Sequence, residues 1–330
     1  MEQQRSINGV ICENNFTNKL KGYVLKILIT GGAGFIGSNV ADGLIAEGYE
    51  VVIIDDLSNG REENISGKAK FYKIDVRDKA LEDVFGSEKP DMVIHNAAQL
   101  SVRVSVEEPL VDADINIMGG LNLINISKKY GVKKIIFASS GGTVYGEQKV
   151  FPADESHPLG PISPYGVAKL ATEHYLYYFS KVYGLDYIAL RYANIYGPRQ
   201  DPHGEAGVVA IFSKKMLAGE TPLINGDGLQ TRDYVYVGDV VRVNVAAIKS
   251  DFVGPINIGT GVETDVMTLF NVLRDSSGRD IEEKHGPAKT GEQMRSVLDN
   301  SLAGKVLGWK PEVSIEEGLK LTYKWFKDNN

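Results

Sequence analysis

The sequence holds a single cysteine, Cys12, in 330 residues, so no intramolecular disulfide and no thiolate metal cluster can form; a reducing, cytoplasmic compartment fits. Basic charge is also in deficit. Against 43 Asp plus Glu stand 36 Lys plus Arg, a formal net charge of −7, and that field repels nucleic acid and anionic membrane surfaces alike. A phosphate-bearing ligand would therefore have to be held by local groups. No apolar run approaches the length of about 18 residues that a membrane-spanning helix needs, so no membrane partner is expected. His95, His157, His174, His203 and His285 show no pairing at metal-ligand spacing, and no metal is expected. The first 24 residues are polar and Asn-rich, with apolar stretches too short for a secretory core, and read as an N-terminal extension.

What the chain does have is 43% hydrophobic residues, enough for a substantial core. From residue 26, short β-branched runs alternate with longer amphipathic stretches, the pattern of βαβ units building a parallel sheet. Expected strands are Lys26–Thr30, Glu50–Asp55, Lys70–Asp75, Met92–Asn96, Lys134–Ser139 and Tyr187–Tyr192. Expected helices are Gly34–Glu47, Lys79–Phe85, Asp112–Tyr130 and Pro164–Tyr183. After Asn194 glycine and proline become more frequent, but Pro255–Ile258 is again strand-like, so two lobes are expected to interleave. The expected fold class is α/β, a doubly wound parallel sheet with a smaller, interleaved C-terminal domain. Its division is residues 1–24 as extension, 25–194 with returning segments near 230–260 as first domain, and mainly 195–330 as second.

Thr30-Gly31-Gly32-Ala33-Gly34-Phe35-Ile36-Gly37 follows the first strand and opens a helix. Glycines there admit strained backbone angles and bring N–H groups against a pyrophosphate, whose charge meets the positive end of the helix dipole. Asp55 closes the second strand eighteen residues beyond Gly37, where a carboxylate can accept from both ribose hydroxyls of NAD and repel the 2′-phosphate of NADP. The first domain thus reads as Rossmann-type. Asp75-Val76 closes the third strand and is either an adenine contact or an ordinary strand end.

Tyr165 and Lys169 stand four apart at the start of a helix, on one face. A free tyrosine ionises near pH 10, but a neighbouring ammonium and a cationic nicotinamide favour the phenolate, making Tyr165 a plausible base. A third hydroxyl is expected at a strand end. Ser140 is preferred, with Ser139 and Thr143 as neighbours able to substitute.

With these residues the chain resembles the extended short-chain dehydrogenase/reductase family and, within it, the nucleotide-sugar epimerases. The resemblance runs from residue 26 to the C-terminus and adds His95-Asn96-Ala97-Ala98, Leu190-Arg191-Tyr192-Ala193-Asn194-Ile195-Tyr196-Gly197-Pro198 and Arg232-Asp233-Tyr234-Val235 to the landmarks above. It implies tightly held NAD, a UDP-sugar substrate and a homodimer joined by a four-helix bundle of the helices near Asp112–Tyr130 and Pro164–Tyr183. Cofactor contacts it implies are Gly31, Gly34, Phe35, Ile36 and Gly37 in the first loop, and Asp55, Asp56, Asn59, Asp75 and Val76 at the second and third strands. Further along they are Ala97, Ala98, Gln99, Asn116, Tyr165, Lys169 and Tyr192. Implied substrate contacts are Ser140, Thr143, Asn194, Arg232, Lys289 and Glu292, with Arg232 on the diphosphate.

The implied reaction is 4-epimerisation of a UDP-hexose through a 4-keto sugar. Tyr165, helped by Ser140, takes the O4 proton as hydride leaves C4 for NAD, and the turned-over sugar takes the hydride back. Related 4,6-dehydratases place an acidic pair after the strand hydroxyl, and decarboxylases usually one acid. Here stand Gly141-Gly142, which favours epimerisation. A UDP-uronate epimerase or decarboxylase would need a cation facing the C6 carboxylate; Arg191 is expected to be too buried, while Arg103 stays open. Degenerate relatives that only sense NAD typically lack the tyrosine or lysine that this chain keeps. Two departures bear on the sugar. Lys289-Thr290-Gly291-Glu292 replaces an Arg-Pro-Gly-acid run, and Ser296 leaves room beside C2, which would admit N-acetylhexosamines.

Overall fold

The computed structural model describes residues 23–202, 207–288 and 293–329, so Lys289, Glu292 and His203 lie outside the described residues. Seven strands form one sheet: β1 (Lys26–Thr30), β2 (Glu50–Asp55), β3 (Lys70–Lys73), β4 (Met92–His95), β5 (Lys134–Ser140), β6 (Asp186–Tyr192) and, late in the chain, β10 (Gly254–Ile258). Their order is β10-β6-β5-β4-β1-β2-β3, and every pairing is parallel. Successive strands step outward from β1 to β3, then reverse to β4 on the other side of β1. Ligands of such sheets bind at that reversal, above the carboxyl ends of the strands.

The inner strands are largely apolar because both faces are covered, whereas the edge strand β3 is only partly buried. Ile27 and Ile29 of β1, with Val51 and Ile53 of β2, join the core under α1 (Phe35–Ala46), α9 (Val237–Lys249) and α11 (Ser301–Leu307). The alternate residues Leu28, Val52 and Ile54 join the core under α2 (Leu81–Glu88), α5 (Gly119–Lys129) and α7 (Pro164–Tyr183). The period of two along each strand thus sends its side chains to opposite layers.

The helix expected over Asp112–Tyr130 begins earlier and is not uniform. It follows α3 (Val102–Glu107) as α4 (Pro109–Ala113), passes through a wide π turn over Asp114–Met118, and continues as α5. β3 stops at Lys73, short of Asp75, because Asp75 turns away to receive the Arg77 backbone N–H at 2.8 Å. The short α6 (Gly141–Val144) follows β5 directly. In α7, Ser163 accepts from the Gly166 N–H at 3.2 Å, Pro164 opens the first turn, and Gly184 at φ +71° ends the helix.

The second lobe holds β7 (Asn194–Tyr196), β9 (Thr231–Tyr236), β11 (Glu263–Asp265) and β13 (Arg295–Ser296) in a small sheet, with β8 (Leu223–Asn225) paired to β12 (Lys284–Gly286). Its own core gathers α8 (Val208–Leu217), α10 (Val266–Ser277) and α12 (Ile315–Asp328) around Phe212, Phe270 and Leu319. The chain crosses between lobes more than once: after β9, α9 packs on the main sheet and β10 pairs with β6. Among the described residues, no helix is long and apolar enough to cross a membrane.

Candidate active site

The loop after β1 forms a cradle of bare backbone. Gly31 sits at φ +67°, and a Cβ on it would lie 2.7 Å from the Ala97 nitrogen at the end of β4. On Gly37 a Cβ would lie 2.1 Å from the Gly31 carbonyl oxygen, so only glycine lets α1 start this close to the loop. Gly34 precedes α1 and offers no side-chain cap, leaving the helix's first N–H groups for a ligand. Such a cradle, at the sheet's reversal point, fits a dinucleotide pyrophosphate.

Asp55 fastens the same loop from β2. Its Oδ2 accepts the Ala33 N–H at 2.9 Å and its Oδ1 the Leu57 N–H at 2.8 Å. Burial pushes its carboxyl above the ordinary range, and the two backbone donors pull it back. Asp56 turns outward and accepts from Ser58, and Asn59 is exposed beside it. Asp75 is engaged by Arg77, whose guanidinium also reaches Asp114, and this ion pair holds its carboxyl below the ordinary range. Val76 is buried, with its carbonyl accepting from Asn122 at 2.8 Å.

Tyr165 and Lys169 stand one turn apart on α7. The Lys169 ammonium donates to the Ala138 carbonyl at 2.9 Å and lies 5.4 Å from the centre of the Tyr165 ring. Burial lowers it to about 8, while Asp112 and Glu173 act to raise it. Burial pushes the Tyr165 phenol well up, and the Asp112 charge adds to that, so ionising it needs cationic help. His95, next to Lys169, is pushed down to about 3 by burial and then by the ammonium; it pairs with the Thr30 hydroxyl at 2.7 Å.

The three candidate hydroxyls separate. Ser139 is buried and donates to Glu173 Oε1 at 2.5 Å, so its proton is committed to a structural bond. Ser140 is half-buried at the end of β5, and Thr143 lies one turn further, its hydroxyl directed at the Ser140 carbonyl at 3.4 Å. Glu173 also holds Arg191, through bonds of 3.0 and 2.6 Å, in a buried pair that ties α7 to β6. Arg191 is 3% exposed and reaches Tyr145 besides, while Arg103 lies on the outer surface with Glu107.

Asn116, in the π turn, has both ends of its side-chain amide engaged. Its Oδ1 accepts the Gln99 N–H at 2.9 Å, and its Nδ2 donates to the Gln99 carbonyl and to Asp112 Oδ1, both at 2.9 Å. Wide turns of this kind gather at functional sites. Ala97 and Ala98 follow β4 beside it, and the Ala97 N–H donates to the Thr30 hydroxyl at 3.2 Å. Tyr192 lies in the core, its hydroxyl receiving Asn244 at 2.9 Å.

In the second lobe, Asn194 and Arg232 are half-buried. Asn194 of β7 pairs with Tyr234 of β9, two residues along from Arg232, so both belong to one pleated face. Ser296 of β13 pairs with Arg232 and is buried. Asp233, on the opposite face, is buried and accepts from Thr260, Gly261 and Leu298; it anchors the lobe to β10's loop.

Asp112 and Glu173 were not singled out from sequence, although each stands four residues from a named partner, Asn116 and Lys169. An acid repeated at that spacing on a helix's inward face is the signal that would have found them.

Residues 27–259 match the NAD dependent epimerase/dehydratase family. A protein from Methanocaldococcus jannaschii named as a putative UDP-glucose 4-epimerase is 48% identical over 306 residues, covering 92% of this chain and 99% of its own. The crystal structure of UDP-glucose 4-epimerase from Thermotoga maritima with UDP-glucose is 52% identical, with a TM-score of 0.90 over 92% of this chain and 99% of the other. UDP-N-acetylglucosamine 4-epimerase from Methanobrevibacter ruminantium, in complex with UDP-N-acetylmuramic acid, is 39% identical with a TM-score of 0.88, over 93% and 99%. The glycine cradle, the Asp55 clasp and the helix-borne Tyr165–Lys169 pair therefore stand in a chain that belongs to the NAD-dependent epimerase/dehydratase family.

Proposed function

We propose that the protein interconverts UDP-glucose and UDP-galactose by NAD-dependent 4-epimerisation, and that it also accepts the N-acetylhexosamine forms. This reading is supported by the Lys169 ammonium, one helical turn from Tyr165 on α7 and bonded to Ala138 two residues before Ser140, and by Gly141-Gly142 where an eliminating acid would stand. NAD, when bound, supplies reversible uptake and return of a hydride. Tyr165 takes the proton from the sugar's O4 and later restores it. The Lys169 ammonium favours the phenolate, and Ser140 bonds the same oxygen, with Thr143 beside it.

Gly31, Gly34, Phe35, Ile36 and Gly37 would cradle the pyrophosphate, and Asp55 would receive the ribose, with Asp56 and Asn59 at its rim. Asn194 and Arg232 would hold the UDP diphosphate, as a net-acidic protein requires of local groups. Lys289 and Glu292 are assigned by the motif alone. The alternative substrate, a uronate, is disfavoured because the Arg191 guanidinium is committed to Glu173.

A homodimer through α4, α5 and α7 would cover the apolar outer faces of these helices. Leu110 on α4, Tyr177 and Val182 on α7, and Ile162 just before α7 are exposed there. Galactose metabolism in the cytoplasm is the setting that this activity and the single cysteine fit.

The test is to incubate purified protein, without added NAD, with UDP-glucose, UDP-N-acetylglucosamine and UDP-glucuronate, and to identify products by NMR. The 4-epimers of the first two are expected. A 4-keto-6-deoxy sugar or a pentose would overturn the reading, and turnover of UDP-glucose alone would remove its N-acetyl part.

A further inference from the structure

Asp112 lies on α4, which packs against α7, the helix of Tyr165 and Lys169, yet it takes no part in the reaction just described. It is 1% exposed on α4, and its Oδ1 accepts from Gln99 Nε2 and Asn116 Nδ2, each at 2.9 Å. Its Oδ2 is buried with no hydrogen-bond partner among the described residues. Burying a carboxylate this way is costly unless a nearby charge compensates.

The charged and titratable groups around it come from several elements. From α7, Tyr165 and Lys169 both feel its charge. From α3, Arg103 is turned to the surface with Glu107. Beyond Lys169, Glu173 is a second carboxylate, but it is already bound by Arg191. His95 faces Lys169 and is held neutral by burial. Among the described residues, Asp112 is thus the acid facing Lys169 that is in contact with no cation of its own.

Resting on the reading of Tyr165 and Lys169 given above, we propose that Asp112 is a positioning residue, its carboxylate supplying the counter-charge that keeps Lys169 an ammonium beside Tyr165. Burial alone drives the Lys169 amine toward neutrality, and an opposite charge resists this. Gln99 and Asn116 hold the carboxylate in place without neutralising it. The same charge raises the Tyr165 phenol, so removing it shifts both groups toward lower pH.

Asp112→Asn is the informative variant, since its amide oxygen can still accept from Gln99 and Asn116 while the charge is gone. In full-length protein with its cofactor, labelled with ¹³C-lysine, the Lys169 resonance is assigned by its loss in Lys169→Met and titrated. The midpoint is expected to fall by about one pH unit or more in Asp112→Asn. The alkaline limb of kcat should fall with it, the KM for UDP-glucose should stay unchanged, and Asp112→Glu should restore the wild-type midpoint. An unmoved midpoint in folded Asp112→Asn overturns the proposal. So does a wild-type carboxyl ¹³C titration showing Asp112 protonated at neutral pH, a measurement that needs no variant to fold. Absence of UDP-glucose turnover by the wild type would instead overturn the activity, and the lysine titration would still decide the role of the charge.

Discussion

Lys169 reaches from α7 to the carbonyl of Ala138 at 2.9 Å, two residues before Ser140 on β5. One bond therefore fixes the distance between the helix that bears the phenol and the strand that bears the hydroxyl. Replacing Tyr165 by Phe should abolish turnover while leaving cofactor bound. Lys169→Met should lower kcat by about 10² to 10⁴-fold, as loss of an assisted proton transfer does. Steady-state kinetics together with the ultraviolet spectrum of the purified variants checks both, and retained turnover in Tyr165→Phe would remove the phenol from the chemistry.

The same lysine sets a pH limit. Its folded-state value, lowered to about 8 chiefly by burial, means the amine is charged below that pH and neutral above it. Activity that depends on the ammonium is thus fully present at lower pH and declines as pH rises through about 8. A kcat/KM profile, which reports the enzyme before substrate binds, should show that descending limb, and Lys169→Met should lack it.

Ser139 and Ser140 are adjacent in sequence and opposite in consequence. Ser139→Ala removes the donor to buried Glu173 and is expected to cost about 1–3 kcal/mol in stability with modest change in kcat. Ser140→Ala should leave the melting temperature near wild type and reduce kcat about a hundredfold. Thermal unfolding and kinetics measured side by side separate the two.

The contrast shows what could be read from residues in a line. The β1 and β2 bounds, the span of α7 and the glycine cradle were legible because apolar period, capping residues and glycine spacing are local signals. The choice among Ser139, Ser140 and Thr143 was not, because it depends on Glu173 arriving from another element. The π turn at Asp114–Met118 was likewise invisible: nothing in the run Asp-Ile-Asn-Ile-Met marks it, and it forms where Asn116 bonds to Gln99 across the fold.

At the cradle, Gly37→Ala would place a methyl 2.1 Å from the Gly31 carbonyl oxygen, which the backbone can relieve only by moving the loop. Loss of bound cofactor and destabilisation of about 1–3 kcal/mol are expected. Asp55→Ala should also release cofactor, because the Ala33 and Leu57 N–H groups that hold the loop lose their acceptor and, on the proposed reading, the ribose would lose one too. Cofactor content after gel filtration reads both.

The most direct measurement follows a single hydrogen. With UDP-glucose deuterated at C4 and no added cofactor, the UDP-galactose formed should carry the deuterium at C4, because the hydride that leaves one face is returned to the other within one bound complex. UDP-galactose with hydrogen from solvent at that carbon would contradict it.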